Sequence, residues 1–468
     1  MKRISLLPLL MLALSFSFYS CSDDDDGSRN LPPEMNNTIA DVVIANENYS
    51  VLEAALIKTD LVSTFQGSSE YTVFAPNDQA FQNFLSDNGF ANLDDVPTNV
   101  LTQVLLYHVV PGSLQAADLQ TQYYSTLSLE EDSQAYLSLY ADTSSGVELN
   151  GATAVITPNI EADNGVIHGI ETVLSLPTVA DLAIYNDNFN TLVTALGNGG
   201  NTTDFLGLAS DPSADITVFA PTNNAFDTFL NDLGVTLPDV SGAVLDNLLR
   251  NHVVASSVAS TQLSTMYVNT EATFDATSNK LSMYINTEDG VTLNGQSNVI
   301  VADVVGVNGI IHAVDAVVAL PTIGTFATAD NTFETLVSAL TRETSFTYVD
   351  LLSTENGTNP APFTVFAPIN DAFADLLTEL GADSLADIDT ATLEATLNMH
   401  VITGANVTAS DLTSGAVTTA GGEMITIDAS NATITDPNSR VSNIIVTDVQ
   451  ASNGVIHAID KVILPALP

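Results

Sequence analysis

The chain has 468 residues, of which 45% are hydrophobic and 14% charged, enough apolar material for sizeable cores and too much for a disordered polypeptide. With 9 Lys and Arg against 56 Asp and Glu, the formal net charge is −47, a field that repels phosphate backbones and anionic headgroups and so argues against nucleic acid and bilayer-surface binding. The only cysteine is Cys21, which excludes an intramolecular disulfide and a thiolate metal cluster.

At the N-terminus, Lys2 and Arg3 precede an apolar run from Ile4 to Phe18, too short to span a bilayer and shaped like the core of a secretory signal. Ser20 and Cys21 follow, in an arrangement that resembles a bacterial lipoprotein signal, which implies residues 1–20 as signal peptide and Cys21 as the lipidated first residue of the mature protein. Asp23 to Asp26 form an acidic run, similar to the signals that send some lipoproteins to the outer face of the outer membrane. Residues 21–36, with Gly27, Pro32 and Pro33, lack apolar periodicity and are expected to be an acidic flexible tether.

Beyond the tether one module is used three times. Phe74-Ala75-Pro76 recurs as Phe219-Ala220-Pro221 and Phe366-Ala367-Pro368, and each copy is followed by two histidines: His108 and His168, His252 and His312, His400 and His457. The copies stand 145 and 147 residues apart, a period of domain size rather than that of a solenoid repeat. This divides the chain into domains at 37–177, 178–321 and 322–468, each expected to fold alone.

Within a copy the elements follow one order. Apolar residues at helical spacing (Tyr49, Leu52, Leu56; Phe189, Leu192, Leu196; Phe333, Leu336, Leu340) predict an opening helix with one core-facing stripe. A strand follows, Tyr71 to Phe74 and its partners Ile216 to Phe219 and Phe363 to Phe366, and it ends at Ala-Pro because proline cannot donate to a sheet ladder. Asn77 and Asp78, Thr222 and Asn223, and Asn370 and Asp371 suit the N-terminus of the next helix, while Gly89, Gly234 and Gly381 suit its left-handed end. A further helix leads into the first histidine. Short β-like runs with turn signals come next, such as Val147 to Gly151 and Val291 to Gly295. The copy closes on Asn-Gly, an apolar strand carrying the second histidine, and Leu-Pro. Helices early and strands late predict an α+β domain.

These residues carry a resemblance. The T-V-F-A-P block, the N-G-[VI]-I-H block and the histidine between them are similar to the signature blocks of the fasciclin-like domain family, in all three copies. The resemblance implies three tandem domains, each a compact wedge-shaped β-sandwich with helices packed around it. It also implies secreted or membrane-anchored adhesion proteins without catalytic residues. In animal members a Tyr-His pair at the first histidine is linked to integrin binding. Only Tyr107-His108 retains it here, the counterparts being Asn251-His252 and Met399-His400, and no Arg-Gly-Asp is present.

No histidine has a catalytic partner in its motif, and the two histidines of a copy are 57 or 60 residues apart without His-x-His or His-Glu pairing, so neither a general base nor a metal site is expected. All six are assigned structural roles, as buried groups bonded to the backbone. Asn286 to Gly290 lacks the ligand spacing of a calcium loop, and Gly199-Gly200 and Gly421-Gly422 are isolated turn pairs rather than phosphate loops. The favoured function is a non-enzymatic, lipid-anchored adhesion or matrix-interaction protein at the cell surface, with no cofactor, an extracellular protein or glycan as partner, and membrane contact only through its anchor. The alternative is a cell-envelope enzyme or small-ligand or carbohydrate-binding protein with its site in the loops that do not align.

Overall fold

The computed structural model describes residues 37–467 apart from 131, 132 and 276; Cys21, the signal and the tether lie outside the described residues. The first domain runs α1 Ile39–Ile44, α2 Ser50–Lys58, α3 Val62–Phe65, β1 Tyr71–Pro76, α4 Asp78–Asp87, α5 Thr98–Tyr107, β2 Val109–Pro111, β3 Gln122–Leu129, β4 Tyr136–Asp142, β5 Glu148–Leu149, β6 Thr153–Ala162 and β7 Gly165–Ile170. The second repeats this as α6 Val179–Tyr185, α7 Asn190–Leu196, α8 Phe205–Ser210, β8 Ile216–Pro221, α9 Asn223–Leu233, α10 Gly242–Arg250, β9 Val253–Val254, β10 Met266–Thr273, β11 Lys280–Asn286, β12 Thr292–Leu293, β13 Ser297–Gly306 and β14 Gly309–Val314. The third repeats it again: α11 Ile323–Ala329, α12 Glu334–Leu340, α13 Tyr348–Leu352, β15 Phe363–Pro368, α14 Asn370–Leu380, α15 Thr390–Asn398, β16 Val401–Thr403, β17 Gly415–Thr418, β18 Met424–Asp428, β19 Thr433–Thr435, β20 Val441–Ala451 and β21 Gly454–Ile459.

Each domain is α+β, with seven strands in the order β2-β1-β7-β6-β5-β4-β3 and its equivalents. All neighbouring strands are antiparallel except β1 with β7, the second and third strands of the order, which are parallel. The helices cover the Phe-Ala-Pro end of the sheet, and their apolar stripes (Leu52 and Leu56, for example) bury against Val73, Ala75 and Ile167. The short helix that opens each copy has no counterpart in the apolar spacing read from the sequence. It is held by a threonine cap, Thr38, Thr178 or Thr322, that donates and accepts within a capping box. In the third copy the expected polar cap is displaced: Ile369 occupies the N-cap and Asn370 begins the helix. Gly234 and Gly381 adopt the left-handed C-cap (φ 69° and 64°), whereas the first copy places Asn88 at the cap and Gly89 after it.

The domains are joined by the same contacts at both junctions. Ser138 Oγ on β4 accepts from Val305 N of the second domain (2.9 Å), and Ser282 Oγ on β11 accepts from Gln450 N of the third (3.0 Å). Pro177 O and Pro321 O accept from Val307 N and Ser452 N. A tilted tyrosine pair completes each junction, Tyr123 with Tyr140 and Tyr267 with Tyr284, ring centroids 4.9 Å apart in both. The first tyrosine of each pair reaches the next domain's opening helix or its C-cap: Tyr123 Oη donates to Leu182 O within α6 (2.7 Å) and Tyr267 Oη to Asp330 Oδ2 at the end of α11 (2.9 Å). Tyr267→Ala removes that bond and an edge-on contact with Phe326, so it is expected to cost roughly 2–4 kcal/mol and to separate the melting of the third domain from that of the second. Scanning calorimetry of the variant checks this; an unchanged profile would mean that the domains are not thermodynamically coupled.

Candidate functional site

The two sequence blocks are adjacent strands. In β1 and β7 the register sets Tyr71 against Gly165 and Phe74 against His168; the later copies set Phe219 against His312 and Phe366 against His457. The rings of these phenylalanine–histidine pairs stack at 5.6–5.7 Å, 28–30° from parallel. The glycine that opens the second block is required by this approach. At Gly309, with φ 151°, a Cβ would lie 2.1 Å from Ile216 O, and Gly165 and Gly454 are equally confined.

Both blocks grip one loop. Thr72 Oγ1 donates to Gly112 O (2.7 Å) and accepts from Leu114 N (2.9 Å), and His168 Nε2 donates to Leu114 O (2.9 Å). Thr217 and His312 hold Val258 in the same way, and Thr364 and His457 hold Val407. The other nitrogen of this histidine, Nδ1, accepts from the backbone N–H of Asn159, Asp303 or Asp448 (3.2–3.4 Å), residues at φ 59–61°. His168, His312 and His457 are therefore neutral with the proton on Nε2.

The first histidine of each copy has the opposite tautomer. His108 Nδ1 donates to Val104 O (2.7 Å), one turn back in α5, and Nε2 accepts from Leu174 N (2.9 Å) beyond β7. His252 joins Leu248 O to Val318 N, and His400 joins Thr396 O to Ile463 N. Each thus ties a helix end to the chain segment that closes the domain. Burial disfavours the imidazolium of His108, His252 and His400 and lowers their pKa to about 4, against the raising effect of the Nδ1 bond; His168, His312 and His457 are lowered for the same cause. The two histidines of a copy bond to different segments, and both ring nitrogens of each are occupied by backbone groups, so no general base or metal pair is assembled. Among the described residues no group of three or more His, Cys, Asp or Glu is placed to hold a metal ion.

Tyr107 is fully buried; its hydroxyl donates to Ser138 O and accepts from Asn150 Nδ2, both at 2.8 Å. The asparagine of the closing block, apparent in sequence only as a turn residue, does more than turn the chain. Asn164 Oδ1 accepts from Ile39 N at the start of α1, and its Nδ2 donates to Phe65 O and Gly67 O, all at 2.8 Å. Asn308 and Asn453 repeat the three bonds. The second residue after Phe-Ala-Pro likewise reaches another helix: Asp78, Asn223 and Asn370 accept from Val51 N, Thr191 N and Thr335 N. Threefold recurrence was the available signal for these roles.

The fasciclin domain model matches residues 47–177, 187–321 and 331–465. The chain belongs to the fasciclin domain family. Relatives include the uncharacterized protein sll1735 of Synechocystis sp., 35% identical over 29% of this chain and 96% of that protein. Transforming growth factor-beta-induced protein ig-h3 of Oryctolagus cuniculus is 25% identical over 92% of this chain, and human periostin is 25% identical over the same share. The chain spans 58% and 48% of the length of those two proteins. Among solved structures, a FAS1 domain pair from the insect cell adhesion molecule Fasciclin I aligns with 60% of this chain and 95% of its own, at 18% identity and a TM-score of 0.36.

The fasciclin domains' histidines set a pH response. Above pH 6.5 imidazole is neutral in the folded and unfolded chain alike. As pH falls from 6.5 toward 4, the unfolded chain binds protons that the folded one excludes, and each first histidine lowers stability by roughly 3 kcal/mol over that window. A His252→Gln chain is expected to be less stable at pH 7.5 yet to lose less on acidification, read as Tm against pH. Parallel curves for the two chains would place the titration elsewhere.

Proposed function

We propose that the chain is a non-enzymatic adhesion or matrix-interaction protein of the cell exterior, displaying three equivalent binding faces. Membership of the fasciclin domain family and similarity to periostin and transforming growth factor-beta-induced protein ig-h3 over 92% of the chain support this reading. The observation that carries it is an apolar strand segment left exposed at the same place in every domain. Ile156, Ile300 and Ile445 are 47%, 53% and 48% exposed, on β6, β13 and β20. Each lies within paired register shifts against the neighbouring strand, irregularities that bend a strand and re-aim its side chains. One exposed isoleucine is ordinary; three at equivalent positions along a tandem array are a repeated contact, and simultaneous engagement multiplies weak affinities. An extracellular protein or glycan is the partner proposed.

Replacing Ile156, Ile300 and Ile445 together by Asp is expected to reduce attachment of chain-coated beads to matrix or cell surfaces by at least about tenfold, because avidity is lost at all three faces. The Tm should move by no more than a few degrees, since the positions are exposed. Retained attachment would remove this strand from the binding face.

Surface display through a lipid on Cys21 remains part of the proposal. Among the described residues no helix is long and apolar enough to cross a membrane. Cys21→Ser should move the chain from the detergent phase to the aqueous phase on phase partitioning. A variant that still enters detergent would exclude lipidation at Cys21 as the anchor.

A further inference from the structure

The three domains are equivalent in backbone but not in the packing of their helical layer. In the second domain a cavity of about 320 Å³ lies between α6, α7 and α8 and the strands β8 and β14, lined mainly by apolar side chains including Leu192, Leu196, Phe205, Ile216, Val218 and Ile311. The equivalent space in the first domain, beside Leu52, Leu56, Phe65 and Val73, measures about 20 Å³.

The difference has a residue-level cause. The closing-block asparagine bonds to Phe65 O in the first domain, Ala209 O in the second and Leu352 O in the third, which makes these three residues equivalent. Strand register makes Tyr71, Ile216 and Phe363 equivalent, and the threonine caps align Ile39 with Val179 and Val43 with Ala183. In the first domain the rings of Phe65 and Tyr71 meet edge-on at 5.9 Å. Ala209 and Ile216 replace both rings, and Val179 and Ala183 are each smaller than their counterparts. The effect reaches core strands. Val73 and Val365 are 7% and 5% exposed and Val109 and Val401 1% and 7%, whereas Val218 and Val253 are half-buried.

A cavity of this size matches the lower end of small-molecule sites, about 300–1,000 Å³, and apolar cavities take up apolar molecules in preference to water. The polar groups on its lining are Thr203, Arg250 and Glu271. Glu271 is paired with Lys280 at 2.5 Å. Arg250 is fixed by Asp246 (Nε–Oδ2 2.8 Å) and donates to Thr203 Oγ1 through Nη2 (2.5 Å); its side chain stays one-third exposed. Arg250 thus brings a fixed cationic donor to a chamber whose other polar groups, Thr203 and Glu271, are themselves hydrogen-bonded or paired, in a chain with 9 Lys and Arg. We propose that the second domain binds one acyl chain in this cavity, hydrocarbon inside and acceptor head group at Arg250. The volume suits one chain rather than a two-chain lipid. The site is separate from the exposed strand segments of the proposed adhesion faces, so either reading can fail without the other.

Dodecanoic acid and its methyl ester are the probes, titrated into the three-domain chain by calorimetry with Tm measured in parallel. The expected result is saturable binding of one molecule per chain and an upward shift of one melting transition. Ala209→Phe, which restores the residue of the first domain, should weaken binding at least tenfold and abolish the Tm shift while raising the Tm of the unliganded chain. Ala183→Val fills the chamber more gently and should weaken binding as well, so the test stands if the larger residue prevents folding. Arg250→Gln should weaken the acid at least fivefold more than the ester. Absence of saturable binding of either probe, a stoichiometry of three per chain, or undiminished affinity in the filled variants would overturn the site. Equal losses for acid and ester in Arg250→Gln would overturn the placement of the head group.

Discussion

The fold of each domain depends on the parallel pairing of β1 with β7, two strands separated by some 90 residues of chain. A parallel pair cannot be closed by a hairpin, so everything between them must leave the sheet and return. The two signature blocks are the residues of this pair. They include a glycine without a Cβ to obstruct the partner's carbonyl, a phenylalanine–histidine stack across the register, and a threonine and histidine that hold the returning loop. Pairing of such high sequence separation carries a large closure entropy, and the buried polar bonds around it give the closed arrangement its specificity.

The histidines show how much of this was legible. Their recurrence in three apolar contexts marked them as structural groups, but sequence could not give the opposite tautomers, which follow from what each ring meets: a helix carbonyl at Nδ1 in one case, a loop carbonyl at Nε2 in the other. Asn164 was apparent only as part of a turn because its three other partners come from α1 and the end of α3, 97–125 residues away. Ile369 stands where a polar cap was expected, and local pattern offered no warning. The cavity was hidden for a related reason. Phe65 and Ala209 lie in segments of unequal length before the Phe-Ala-Pro block, and only the shared hydrogen bond reveals that they occupy one position.

A net charge of −47 leaves few cations, and three of the six among the described residues, Lys58, Arg342 and Arg440, donate to backbone carbonyls. Lys58 Nζ donates to Leu93 O, Asp94 O and Val96 O; Arg342 donates to Leu385 O and Ile388 O, the matching turn of the third domain. Leu93 O and Leu385 O also accept the turn's own N–H, from Val96 and Ile388, and a cation placed over the clustered carbonyls of each turn meets their negative potential. Arg250 of the second domain is directed instead to Asp246 and the wall of the cavity.

The junction tyrosines have a consequence for the order of the domains. Strand pairing places Tyr123 opposite Tyr140 and Tyr267 opposite Tyr284, while the corresponding pair in the third domain is Ala416 opposite Thr426. The serine that accepts the neighbour's N–H, Ser138 or Ser282, is Met424 there. The array therefore has a direction, and its modules are not interchangeable: a chain shuffled so that the third domain stands first would offer its follower neither the aromatic clamp nor the hydroxyl acceptor. Permutation would keep each domain's own strands and helices, but it would lose the fixed step from one domain to the next and the apolar cluster in which Val305 and Ile310 join Leu137 and Leu139.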